Sequence, residues 1–208
     1  MRIVSASFEL LSFTSDLETL IERAGRVCYK SEDKITADSS TKFIQTICKN
    51  KHESVLEHGS IIVKIICDRG VSHELVRHRL ASFSQESTRY CNYSKDKFGK
   101  EITVIEPCFS TWDTILRDIW KESCEQAEVY YFKLLEMGAT PQEARSVLPS
   151  SLKTEIVITA NLREWLHIFK MRTAKEAHPQ MREIMIPLQK EFQLNWPSIF
   201  GENKHEQT

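Results

Sequence analysis

Fourteen consecutive residues, Arg77-His78-Arg79-Leu80-Ala81-Ser82-Phe83-Ser84-Gln85-Glu86-Ser87-Thr88-Arg89-Tyr90, hold three arginines, a histidine, three serines and two aromatics beside apolar Leu75 and Val76. If Val71 to Phe83 is helical, Val71, Leu75, Val76, Leu80 and Phe83 span an arc of roughly 180° with Arg79 pointing into its middle. A guanidinium aimed into an apolar face needs an anion. Carboxylates on a neighbouring helix would supply one, and so would a phosphate beside a planar ring, because Arg binds phosphate bidentately and stacks on π faces. These residues alone leave a salt-bridge cluster and a ligand site both open.

His52, Glu57 and His58 invite a metal reading, as do His73 and His78. Spacing argues against both. On a helix, residues six apart are rotated by about 240° and residues five apart by about 140°, whereas ligands on one face stand three or four apart. No metal is expected. Arg145 reads equally as a surface arginine, His52 as a capping or core histidine, Cys28 as a small buried thiol, and Arg172 as a cation favouring a helix carboxyl end.

The spacing of the whole set is more specific than any part. Arg-His-Arg, then Ser87, then Arg89-Tyr90, resembles the signature of the flavin-dependent thymidylate synthases. His52-Glu53-Ser54-Val55-Leu56-Glu57-His58 is similar to that family's His-Glu-x-x-x-Glu-His segment. Ala144-Arg145-Ser146-Val147-Leu148-Pro149 is similar to its Ala-Arg-x-x-Leu-Pro, and Asn161-Leu162-Arg163 with His167 and Arg172 to its last block. The resemblance runs from about Arg26 to the helix beyond Arg172. It implies FAD contacts from His52, Ser54, Glu57, Arg77, His78, Arg79, Asn161, Arg163 and His167. It implies dUMP contacts from Glu74, Gln85, Glu86, Ser87, Arg89, Arg145 and Arg172, with Arg145 on the phosphate and Arg172 polarising the pyrimidine as the catalytic residue. Ser84 stands where the motif carries Asn, and Glu74 where it carries Gln. The implied reaction methylates dUMP to dTMP, with carbon from 5,10-methylenetetrahydrofolate and hydride from NADPH by way of FAD. The implied assembly is a homotetramer with shared active sites.

The elements that must position these groups read as an α+β chain. Arg2 to Leu11 reads as one strand, Asp16 to Tyr29 as a helix, and Ser39 or Ser40 as the start of another through Ile47. Ile61–Ile66 is a strand followed by a turn at Asp68-Arg69-Gly70, and Ile102–Ile105 a short strand. An amphipathic helix runs from about Trp112 to Met137, Pro141 opens a short helix carrying Arg145, and Thr154–Thr159 is a strand. Helices over Leu162–Met171 and Gln180–Leu194 complete the chain, the last kinked or interrupted at Pro187. With no Gly-x-Gly-x-x-Gly loop, the sheet is antiparallel or mixed and not Rossmann-like.

The 208 residues suit one sizeable core, and with no linker or repeat, residues 1–208 read as a single domain. Twenty-eight basic against 29 acidic residues argue against a nucleic-acid polymer or a membrane surface as partner. Six cysteines without a Cys-x-x-Cys pair read as reduced thiols in a cytoplasmic protein, and no leader or spanning segment is evident. A non-catalytic nucleotide- or RNA-binding module is the competing reading of the Arg and Tyr clusters. It would need no flavin.

Overall fold

The computed structural model describes residues 1–201. Strand β1 (Arg2–Val4) pairs in parallel with β5 (Thr103–Ile105), Ile3 facing Val104. Strands β2 (Ser7–Phe13), β3 (Ser60–Asp68), β6 (Lys153–Asn161) and β4 (Ser82–Gln85) form a four-stranded antiparallel sheet in the spatial order β2-β3-β6-β4. Alternation decides which residues β3 and β6 bury. Ile61, Val63, Ile65 and Cys67 on one, and Thr154, Ile156, Ile158 and Ala160 on the other, point to the core at the two-residue period of a strand.

By contacts the chain forms two compact units, one of Met1–Phe8, Lys64–Arg77 and Phe83–Val157, the other of Glu9–Val63, His78–Ser82 and the residues from Ile158 onward. In the first, Tyr93, Ile102, Val104, Cys124, Tyr131, Ala144 and Leu152 make the core, with Cys124 and Tyr131 supplied by helix α4 (Thr114–Glu136). Asp68 caps α3 (Arg69–Leu75), its carboxylate accepting the Val71 amide at 2.7 Å, and Asp113 caps α4 in the same way. Thr140 and Glu143 form a capping box ahead of Pro141, so α5 (Pro141–Ala144) delivers Arg145 into a tight 3-10 turn at a fixed angle.

The second unit buries an aromatic cluster. Phe169 on α6 (Leu162–Arg172) lies 5.0 Å, ring to ring, from Phe192 on α7 (Pro179–Asn195) and 6.0 Å from Phe200 on α8 (Pro197–Phe200). Helices α1 (Leu17–Val27) and α2 (Ser39–Lys49) pack together, and the 3-10 segment Glu53–His58 lies against α1 and α6. Gly59 makes that approach possible. A Cβ there would stand 2.5 Å from Leu17 Cδ1, while the Gly59 carbonyl accepts the Leu162 amide at 3.1 Å.

Several sequence expectations change. The first strand is two, because Ser5 and Ala6 separate pairings that belong to different sheets. Asp68 starts a helix where a turn was expected, and that helix ends at Leu75, well short of Phe83. Val76–Ala81 is loop and turn, so Arg79 is exposed, Leu80 is 75 % exposed, and no apolar face surrounds Arg79. The chain then enters β4, where Phe83 and Gln85 turn inward at strand period. Pro187 does not interrupt α7; it is exposed, so the Glu183 carbonyl that it leaves without a helical partner faces water.

Candidate functional site

In the second unit, Asn161 ends β6 and caps α6, its Oδ1 accepting the Glu164 amide at 2.8 Å. That cap fixes the first turn of α6, which carries Arg163 and Glu164. Arg163 points outward and binds Glu57 at 2.6 Å and Glu53 at 3.6 Å. Glu57 and Arg163, 106 residues apart and both expected at the flavin, are thus brought together. His52, Ser54, His58 and Arg79 are exposed, so His52 is not a core histidine, and at the start of its 3-10 segment it makes no side-chain cap. Cys28 is exposed beyond α1 and not a buried thiol.

His78 behaves differently from its neighbours. It is 6 % exposed, its Nδ1 lies 3.2 Å from Glu164 Oε1, and the Arg172 Nε–H donates to its Nε2 at 3.0 Å. An N–H donor at Nε2 requires a lone pair there, so the ring proton sits on Nδ1 and is donated to Glu164. Burial, then the Arg172 charge and His167, hold the His78 pKa down at about 4, which keeps the ring neutral at pH 7. Burial raises the Glu164 pKa, with His167 opposing.

His167 stands edge-on to His78 at 5.5 Å, and the donor atoms of His78, Glu164 and His167 lie within 4.8 Å of one another. The sequence did not anticipate this trio. A cation is nonetheless disfavoured: Nε2 already accepts from a guanidinium, Nδ1 carries the proton shared with Glu164, and Arg172 would repel a metal at this range.

The depressed His78 pKa has a stability consequence. The unfolded chain binds this proton near pH 6.5 and the folded chain only near pH 4, so stability is lost as pH falls through that window. Protonation of Glu164 works in the opposite direction. Between pH 6.5 and 4 the wild-type chain should therefore lose more unfolding free energy than H78Q, by the order of 2 kcal/mol, in urea titrations at each pH. Parallel pH dependences would contradict the assignment.

The first unit gathers most of the expected nucleotide residues. Arg145 Nη1 donates to Thr88 Oγ1 at 3.2 Å, and Ser87 Oγ accepts the Arg89 amide at 3.4 Å. The Arg89 guanidinium lies over the Tyr90 ring, 5.5 Å from its centre. Arg145 and Arg89, both exposed, flank the Ser87-Thr88 hydroxyls, a donor set suited to a phosphate. Arg77 is also exposed, and Glu74 is half-buried on α3.

Gln85 is turned inward, its Nε2 donating to Ser72 at 2.8 Å and Thr154 at 3.2 Å. Glu86 accepts from the Tyr93 hydroxyl and from Lys153, each at 3.0 Å. Lys153 also reaches Glu155 at 2.7 Å; burial works against its charge, but these two carboxylates raise its pKa. Gln85, Glu86, Lys64, Lys153, Glu155 and Phe98 help line a cleft of about 430 Å³. Thr88, Ser72, Thr154, Lys153 and Glu164 escaped the sequence reading because each acquires its partner only through folding.

A family model described as thymidylate synthase complementing protein matches residues 9–198. The chain is 33% identical over 198 residues to a flavin-dependent thymidylate synthase of Geobacter sulfurreducens, covering 92% of this chain and 84% of the relative. It is 30% identical over 203 residues to one of Corynebacterium glutamicum, covering 89% and 79%. The chain belongs to the flavin-dependent thymidylate synthase family. Its fold matches that of a UMP/dUMP methylase from Streptomyces cacaoi bound with 5-Br dUMP, with a TM-score of 0.80 and 22% identity, covering 96% and 95% of the two chains.

For a flavin-dependent thymidylate synthase the donor sets make sense. Exposed Arg79, Arg163, His52 and His167 carry N–H groups of the kind a flavin's polar atoms accept from. Among the described residues no helix is long and apolar enough to cross a membrane.

Proposed function

We propose that this chain, acting as one catalytic domain, methylates dUMP to dTMP, taking the carbon from 5,10-methylenetetrahydrofolate and the hydride from NADPH, with FAD as cofactor. The observation that carries the reading is the local assembly of the expected groups: Arg145 with the Ser87–Arg89 turn, and Arg172 locked on His78. Bound flavin would supply the redox chemistry. The chain's own residues bind, orient and polarise. Arg145, Ser87 and Arg89 hold the phosphate, Gln85, Glu86 and Glu74 shape the nucleotide pocket, and Arg172 hydrogen-bonds a pyrimidine carbonyl. That bond stabilises the negative charge that develops as carbon 5 becomes nucleophilic. His52, Ser54, Glu57, Arg77, His78, Arg79, Asn161, Arg163 and His167 hold the flavin.

A homotetramer with shared sites is part of the proposal. Ile115, Ile119, Val129, Tyr130 and Met137, at the end of α4, are exposed and lie within an arc of about 100° on the helix, the kind of surface a subunit contact covers. The purified protein should be yellow, with noncovalent FAD, and elute near four times 24.2 kDa. A colourless protein that cannot be reconstituted with FAD would instead favour the nucleotide- or RNA-binding module.

A nucleophilic cysteine is not part of the mechanism. Burial, then the Glu86 charge, push the Cys91 thiol above its ordinary range, the reverse of what an attacking thiolate needs. Cys91→Ala should keep most activity, and Ser87→Ala should slow the reaction without abolishing it. Mass spectrometry of enzyme quenched in turnover or trapped with 5-fluoro-dUMP should find no enzyme-nucleotide adduct; a stable one on either side chain would restore covalent catalysis.

A further inference from the structure

We propose that Glu164 is a positioning residue for Arg172 and acts through His78, holding the imidazole as the Nδ1–H tautomer so that Nε2 anchors the Arg172 guanidinium. The inference rests on the reading of Arg172 as the group that meets the pyrimidine. Glu164 and Arg172 begin and end the same helix, eight residues and about 12 Å apart along its axis, too far for direct contact. His78, from a separate stretch of chain, bridges them with one ring nitrogen each, at 3.2 Å and 3.0 Å.

Burial makes the bridge selective. The Glu164 and His78 side chains are each 5 % exposed, so water is poorly placed to substitute for either. Asn161 fixes the backbone beneath Glu164. Without an acceptor opposite Nδ1, the ring is free to carry its proton on Nε2, where N–H would face the Arg172 N–H, donor against donor. Arg172 would then lose the Nε2 acceptor that aims its Nε–H while keeping its charge. His78 consequently serves the reaction through both ring nitrogens inside the protein, whatever its backbone or ring face contributes to flavin.

The test is the tautomer of His78 together with kinetics, in FAD-loaded enzyme carrying nitrogen-15-labelled histidine. Long-range proton–nitrogen correlation at pH 7.5 should show His78 neutral and protonated on Nδ1; protonation on Nε2 in the wild-type enzyme overturns the proposal even if no variant folds. E164L should shift the ring toward the Nε2–H form and lower kcat by about 10- to 100-fold, the range seen when the carboxylate behind a metal-ligating histidine is removed. KM for dUMP should change little. E164Q, whose amide oxygen can accept from Nδ1–H, should recover most of what E164L loses. In an H78A background, E164L should lower kcat no further, because its route of action is already gone. An E164L enzyme with wild-type tautomer and turnover, or one whose loss persists in full on H78A, refutes the relay. R172A separates the two layers: wild-type turnover in R172A refutes the reading of Arg172, whereas an impaired R172A with a silent E164L refutes the relay alone.

Discussion

Arg172→Ala is expected to lower turnover of dUMP by about 10²- to 10³-fold while changing KM much less. An arginine that stabilises charge developing on the pyrimidine acts mainly in the transition state, so its loss falls on kcat. The structure adds a reason for the size of the effect. Arg172 is half-buried at the last turn of α6 and fixed by the His78 Nε2 acceptor, so its donors are aimed before substrate arrives. Arg172→Lys should rescue little, because a lysine ammonium cannot reproduce the planar fork that binds an imidazole and a carbonyl together. Steady-state kinetics with dUMP as the varied substrate decide this; an unchanged kcat in Arg172→Ala would remove it from the chemistry.

Arg145→Ala should do the opposite, raising KM for dUMP by about 25-fold or more and leaving kcat nearly intact. A phosphate distant from the reacting carbon is gripped equally in ground and transition states, so its contacts contribute uniform binding. Arg145 emerges from a capped turn and leans on Thr88 at 3.2 Å, next to Ser87 and Arg89. Thr88→Val should reproduce a fraction of the same KM effect by loosening that side chain. Deoxyuridine, which lacks the phosphate, should be used equally poorly by wild type and Arg145→Ala; a wild-type KM for dUMP in Arg145→Ala would contradict the phosphate role.

The contrast between these arginines shows what could be read in the sequence. Arg145 and Arg172 were assigned by resemblance to a family's motifs, and the α+β fold from strand runs such as Ile61–Ile66 and Thr154–Thr159 together with helix signals such as Pro141. Periodicity failed where a helix ends for tertiary reasons. The apolar pattern from Val71 to Phe83 fits a helix, yet the backbone leaves α3 at Leu75 to enter β4, so Arg79 reaches solvent. Pro187 lies within α7 without ending it, because an exposed helix face tolerates the lost hydrogen bond.

The Glu164–His78–Arg172 chain was illegible for a simpler reason. Its members are 86 and 94 residues apart in sequence, and Glu164 has no local feature that marks it as buried. The Lys153–Glu86–Tyr93 set is similar, joined across 67 residues and across seven. The partners that hold such side chains in place become visible only in three dimensions.

Anaerobic incubation of the FAD-loaded, chemically reduced enzyme with dUMP and 5,10-methylenetetrahydrofolate, followed by quantification of dTMP, tests the central claim most directly. The account predicts dTMP in proportion to reduced enzyme within a single turnover, and none when either dUMP or the folate is omitted. Reduced, flavin-bound enzyme that binds dUMP yet forms no dTMP would contradict it.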